Sequence, residues 1–130
     1  MRWRAPEPVD GRINELIADA RRDTRAGRLE DAWTYLADAH VLSQPWPASH
    51  VRVHAAMLGM AWRTRESGEV GGQLFRLVVA APGSLTGRYP AGNSGRTDVS
   101  AFEPAPVRED LAELLQAADR TTRARRRSSE

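Results

Sequence analysis

The chain has no cysteine, so disulfide frameworks, thiolate metal sites and redox dithiols are excluded. Lysine is also absent. All 19 basic residues are arginines, which removes a Schiff-base or P-loop lysine from the available chemistry. No apolar run approaches the ~20 residues that cross a bilayer, and the opening Met-Arg-Trp-Arg-Ala-Pro-Glu-Pro has no secretory apolar core. The expectation is a cytoplasmic protein without membrane association. Nor is positive charge spread along the chain. Residues 120–130 carry five arginines against one glutamate, so the net charge of +2 leaves the preceding 119 residues at −2. A mildly acidic body argues against a nucleic-acid surface on the fold itself, leaving only the basic tail for such contacts.

What the chain does have is helical periodicity. After Asp10, residues Ile13, Leu16, Ile17 and Ala20 form the i, i+3, i+4, i+7 stripe of an amphipathic helix that Gly27 ends. Leu29, Ala32, Trp33, Leu36, Ala39 and His40 mark a second helix, broken by Gln44-Pro45-Trp46-Pro47. Pro47 suits the first turn of a third helix, running to about Glu66. After Gly68, a fourth is marked by Val70, Leu74, Leu77, Val78 and Ala81. Trp33 and Trp62 both follow these stripes and are expected in the core. Shifting the chain by 41 positions lays Leu16 on Met57, Ala20 on Ala61, Gly27 on Gly68 and Ala39 on Ala80. Each half reads as helix, Gly turn, helix. Gly-Arg-Leu-Glu-Asp-Ala-Trp-x-x-Leu-x-x-Ala (27–39) resembles the junction and second helix of a tetratricopeptide repeat. A last helix between about Arg108 and Thr122, with the stripe Leu111, Leu114, Leu115 and Ala118, would cap the stack.

The expected fold is therefore all-α: two tetratricopeptide-like hairpins of four helices plus a C-terminal capping helix. Residues 1–9 form an extension, 10–122 one helical domain and 123–130 a basic disordered tail. Within the domain, residues 82–107, rich in proline and glycine, would form a long ordered loop, held by Leu85, Tyr89, Val99 and Phe102. Gly-Ser-Leu-Thr-Gly-Arg-Tyr-Pro-Ala-Gly-Asn-Ser-Gly (83–95) and Val-Ser-Ala-Phe (99–102) in this loop, with Ala-His-Val-Leu (39–42) and His-Val-Arg-Val-His-x-x-Met-Leu (50–58), are similar to a small bacterial family catalogued as domain of unknown function 3703. The resemblance spans Leu16 to Leu111. It implies no reaction, only that histidines and loop act together.

All three histidines, His40, His50 and His54, fall within one 15-residue window. His50 and His54 are one helical turn apart on one face. His40 lies near the end of the preceding helix, which a short turn folds alongside. Three neutral imidazoles bind zinc, copper, iron or nickel, and three protein ligands leave an open position of the kind catalytic sites keep. Met57, a turn beyond His54, would add a thioether and favour copper. Asp38 and Asp98 are the carboxylates considered for orienting a ring, and Trp46 is placed at a pocket mouth. Gly92-Asn93-Ser94-Gly95-Arg96 could form an anion nest with Arg96 as counter-charge, and Arg88 stands in the same loop. The leading reading is a small soluble protein holding one divalent transition metal on His40, His50 and His54. The alternatives are a tetratricopeptide-like peptide-binding module without metal and a metal-free enzyme using histidine as acid or base. The partner, a small molecule or a protein, stays unidentified, and no sequence feature names a reaction.

Overall fold

The structure, a computed structural model, describes residues 2–97, 100 and 102–130. Its five helices, in chain order, are α1 (Val9–Arg25), α2 (Leu29–Ser43), α3 (Pro47–Arg63), α4 (Ser67–Thr86) and α5 (Glu109–Arg127), with no strand among the described residues. The two main packed pairs are α1 with α2 and α3 with α4. α2 joins the pairs through α3, and α5 lies across α2 and α1. This is the expected order of two helical hairpins followed by a C-terminal helix.

Periodicity placed the first hairpin closely. Ile13, Leu16, Ile17 and Ala20 of α1 interlock with Ala32, Trp33, Leu36 and Ala39 of α2, all buried. Val53, Met57, Met60 and Ala61 of α3 join the same core, and Leu111 and Ala118 of α5 close it. The paired positions of the internal overlay (Leu16 and Met57, Ala20 and Ala61, Ala39 and Ala80) are buried in both halves. Pro47 opens α3, where its missing N–H costs nothing.

The second hairpin departs from expectation in three ways. The left-handed residue after α3 is Arg65 (φ 58°), whereas Gly68 falls within the first turn of α4. Trp62, expected in the core, is 74% exposed. Most consequentially, α4 turns its apolar stripe outward: Glu69, Gln73, Arg76 and Ser84 are buried, while Leu74, Phe75 and Val78 face solvent. The reason lies in what α4 packs against, since its inner face meets the histidines and polar groups are needed there.

The loop is shorter than expected, because α4 continues through Pro82 to Thr86. Proline there removes one helical N–H, and the carbonyl that loses it belongs to Val78 on the outer face, where water can serve. α5 likewise runs five residues past Thr122, so Arg123, Arg125, Arg126 and Arg127 are helical; Arg123 pairs with Asp119 (2.9 Å), and the other three lie in the last turn, where they compensate the helix C-terminus. Loop anchoring is uneven. Tyr89 is half-buried, whereas Phe102 is 72% exposed and only edge-stacked on Phe75. Val99 lies outside the described residues. Gly72 allows the loop to close on α4, since a Cβ there would overlap the Thr97 side chain.

Trp33 is the largest fully buried side chain. Its indole N–H donates to Glu66 Oε2 (3.2 Å), and the Arg96 guanidinium stacks 4.4 Å above its ring. Trp33→Ala should therefore cost about 3–5 kcal/mol in chemical denaturation, against under ~0.5 kcal/mol for Arg21→Ala on the exposed side of α1. Equal losses would mean that the core is not centred on this indole.

Candidate metal centre

The short Gln44–Trp46 turn sets the last helical turn of α2 beside the first turns of α3, which brings the three histidines together. All are buried, and their ring centroids form a near-equilateral triangle of 4.9, 4.6 and 4.9 Å. His40 Nε2 lies 3.0 Å from both His54 Nε2 and His50 Nε2. One ligand atom from each of the three can be chosen so that all lie within 4.8 Å of one another.

The other ring nitrogens decide what these distances mean. His40 Nδ1 lies 2.7 Å from the Asn93 carbonyl, which can only accept, so this nitrogen carries the proton. His54 Nδ1 lies 2.7 Å from Gln73 Oε1. The Gln73 amide is oriented by its Nε2, which donates to Gly95 O (2.8 Å) and to Glu69 Oε2 (3.3 Å), so its oxygen must accept from His54. His50 Nδ1 lies 2.9 Å from Ser84 Oγ. Ser84 donates its own proton to the Gln44 carbonyl, so His50 is again the donor. All three imidazoles are thus Nδ1–H tautomers, assigned from their partners. The Nε2 atoms of His50 and His54 each present a bare lone pair to that of His40. Three lone pairs converging in a buried place repel one another until a cation lies between them.

Burial, the largest cause for every ring, holds the trio neutral. His50 is pushed down to about 3 from 6.5, with the neighbouring His54 charge adding to the effect. His54 is pushed down to about 4, its bond to Gln73 opposing the burial. His40 lies well below its usual value, through burial and then the His54 and His50 charges.

A cavity of about 280 Å³ opens from the trio and is lined also by Gln44, Arg76, Tyr89, Arg88 and Phe102. It provides space on the fourth side of the triangle. The loop forms one wall and is tied down by hydrogen bonds through Gln44 and Asn93. Gln44 donates to Pro90 O (2.9 Å) and accepts from Gly92 N (3.1 Å). Asn93 Nδ2 donates to the carbonyls of Ser100 (2.8 Å) and Glu103 (2.6 Å), while its Oδ1 accepts from Gly95 N (2.9 Å).

The remaining residues singled out from sequence have other places. Met57 is fully buried in the apolar core and does not line the cavity, so its role is packing. Trp46 is half-buried against the core and also lies off the cavity. Asp38 pairs with Arg108 (2.8 Å) rather than with a histidine, and Asp98 lies outside the described residues. Arg88 is exposed on the cavity lining. Arg96 points away to Glu69 (3.3 Å) and Trp33. The Gly92–Arg96 turn is no open anion nest, because the N–H groups of Gly92, Gly95 and Arg96 bond Gln44, Asn93 and Ser94 side chains. Sequence reasoning missed Gln73 and Ser84 as ring partners, and it gave Gly95 to an anion nest rather than to the close approach on His40. A buried glutamine on a helix otherwise rich in apolar residues was the available signal for the first.

A family model described as "Protein of unknown function (DUF3703)" matches residues 8–115, most of the chain. No curated protein and no solved structure matches it.

Two outcomes follow from this geometry. Gly95 has φ +79°, and a Cβ there would stand 2.7 Å from the His40 ring, so Gly95→Ala must push that ring off its position. The expected result is a protein that folds but binds divalent metal at least ~10-fold more weakly, as for other changes to ligand-orienting groups; unchanged titration curves would contradict it. The second concerns pH. Unfolded histidines take up protons near 6.5, whereas His50 and His54 do so only near 3 and 4 when folded. Unfolding therefore binds protons between these values, and the stability held above pH 6.5 is lost as pH falls through that window. Chelator-treated protein should melt at a lower temperature at about pH 5 than at about pH 7.5, and a flat profile would refute a neutral, buried trio.

Proposed function

The chain belongs to the DUF3703 family of proteins of unknown function, and from its buried histidine trio we propose that it binds one divalent transition metal through His40, His50 and His54. The observation that carries the reading is the convergence of three unprotonated Nε2 atoms, each ring being locked from behind by a carbonyl or hydroxyl acceptor. Such outer partners fix tautomer and ring direction around metals. Ligand nitrogens of a tetrahedral zinc stand about 3.3 Å apart for bonds of ~2.0–2.1 Å. The 3.0 Å separations of His40 Nε2 from His50 Nε2 and His54 Nε2 are close to that value, and the whole ligand set lies within 4.8 Å.

Three imidazoles without thiolate or thioether favour zinc, nickel, iron or copper(II) over copper(I). The adjoining cavity leaves room for water or a small ligand at a fourth position, which suits an open site better than a closed structural one. A bound metal would supply Lewis acidity there; the chain's own residues orient the rings, wall off the site and position the cavity. The low proton affinities of His50 and His54 weigh against a metal-free acid/base role, since a base of pKa about 3 or 4 is poorly matched to neutral pH.

A peptide-holding role has one observation of its own. A groove of about 420 Å³ between α1 and α3 is lined by Arg21, Arg52 and Arg63 over small residues such as Ala18 and Gly59. It lies apart from the histidines, so the two readings are separable.

The deciding measurement is elemental analysis of untagged protein, followed by calorimetric titration of the chelator-treated form. One metal per chain is expected, lost in His40→Ala and in His54→Ala. Gln73→Leu should retain the fold but weaken binding by ~10–100-fold, because the His54 tautomer loses its lock. Absence of binding for zinc, nickel, iron(II) and copper(II) by the folded wild type would overturn the proposal.

A further inference from the structure

α4 is amphipathic in the reverse sense from its neighbours. Its only charged residues, Glu69 and Arg76, are both buried on the side of the histidines. Its outer side carries Leu74 at 52%, Phe75 at 51%, Val78 at 75% and Leu85 at 37% exposure, with Pro82 exposed among them. Phe102 stacks on Phe75 at 6.4 Å and widens the strip. Trp62 extends it past the N-terminal end of α4, across a shallow hollow shared with Val70, Ser67 and the exposed Arg65, which marks the edge of the apolar strip. The apolar area left in water amounts to roughly 600 Å², at the upper end of the 300–600 Å² of a typical monomer's largest patch. It approaches the ~800 Å² that each partner contributes to a standard interface.

We infer that this outer face of α4 is a self-association surface, on which a second copy of the chain docks its own α4 antiparallel across a two-fold axis. Three properties select a second copy. At a two-fold the face meets itself, with only the residues on the axis opposite their own symmetry mates, so any net charge on the face would repel itself; α4 presents none outward. The apolar positions extend to both sides of Val78, with Leu74 and Phe75 one turn before it and Pro82 and Leu85 one and two turns after. Antiparallel copies centred on Val78 therefore set Leu74 and Phe75 of one copy against the Ala81–Pro82 turn of the other, apolar turn on apolar turn about the axis. The available area is near what a stable dimer needs, whereas an interfacial membrane helix would carry arginines along its opposite face, which here is buried.

The surface adjoins the metal cavity, since Pro82 and Phe102 belong to both. The inference does not rest on metal binding, however, and would stand without it.

Sedimentation equilibrium of the full chain tests it. The wild type should behave as a dimer of the 14.4 kDa chain at micromolar concentration. Val78→Arg places like charges together at the axis and should weaken association by roughly a hundredfold or more, giving a monomer with unchanged helical circular dichroism. Leu74→Glu, on the neighbouring turn, should do the same, so that a folding defect in one variant does not decide the question. Mixing Val78→Arg with Val78→Glu should restore a dimer through paired charges, which general destabilisation would not do. A monomeric wild type, a wild type that is monomeric in buffer but pellets with phosphatidylglycerol vesicles, or a Val78→Arg protein that keeps the wild-type mass would each overturn it.

Discussion

Everything distinctive about this molecule follows from three hydrogen bonds made on the far side of three imidazole rings. A neutral histidine has one proton to place, and placing it at Nδ1 commits Nε2 to being an acceptor or a ligand. The acceptors that enforce this are the Asn93 carbonyl, the Gln73 amide oxygen and the Ser84 hydroxyl. None can be reversed locally. Gln73 is held by its two donations, Ser84 by its donation to Gln44, and a carbonyl has no proton to give. The trio is thus left with lone pairs that one cation could satisfy.

That requirement explains the odd polarity of α4. A helix packed against buried imidazoles has to present groups that can bond them, so Gln73 and Ser84 occupy positions that leucine would take in an ordinary core. With polar residues turned inward, the apolar residues of the same helix are left facing out. The loop obeys the same constraint. Its ladder of bonds through Gln44 and Asn93 brings the Asn93 carbonyl and the side-chain-free Gly95 against His40, a fit that a floppier connection could not hold.

Element positions in the first hairpin were legible because burial there is apolar and the 3.6-residue stripe reports it directly. The grouping of His40, His50 and His54 was legible because helix, tight proline turn and helix leave little freedom in how the segments meet. In the second hairpin the same stripe reported a helix over 70–81 but the wrong face, since periodicity measures segregation of apolar residues and not which side is buried. Trp62 failed for the same reason. Gln73, Ser84 and Gly95 act over separations of 19 to 55 residues from their histidine partners, and no local pattern encodes such pairings. The assignment of Asp38 as a ring-orienting carboxylate failed because Arg108, 70 residues away, claims it.

The identity of the orienting groups bears on the chemistry a metal would do here. In many metal sites a carboxylate accepts the distal histidine proton and makes the ring a stronger donor. Here every acceptor is neutral, and the nearest carboxylate in the network, Glu69, reaches His54 only through the Gln73 amide while also bonding Arg96. Arg76, buried alongside and bonded to Gly95 O, adds positive potential that lowers the proton affinity of both His40 and His54. Ligands of this kind donate weakly and leave a divalent metal electron-poor, which trades holding strength for Lewis acidity at the open face. Were a metal held here, that balance would favour polarising a small ligand in the adjoining cavity over tight retention of the ion.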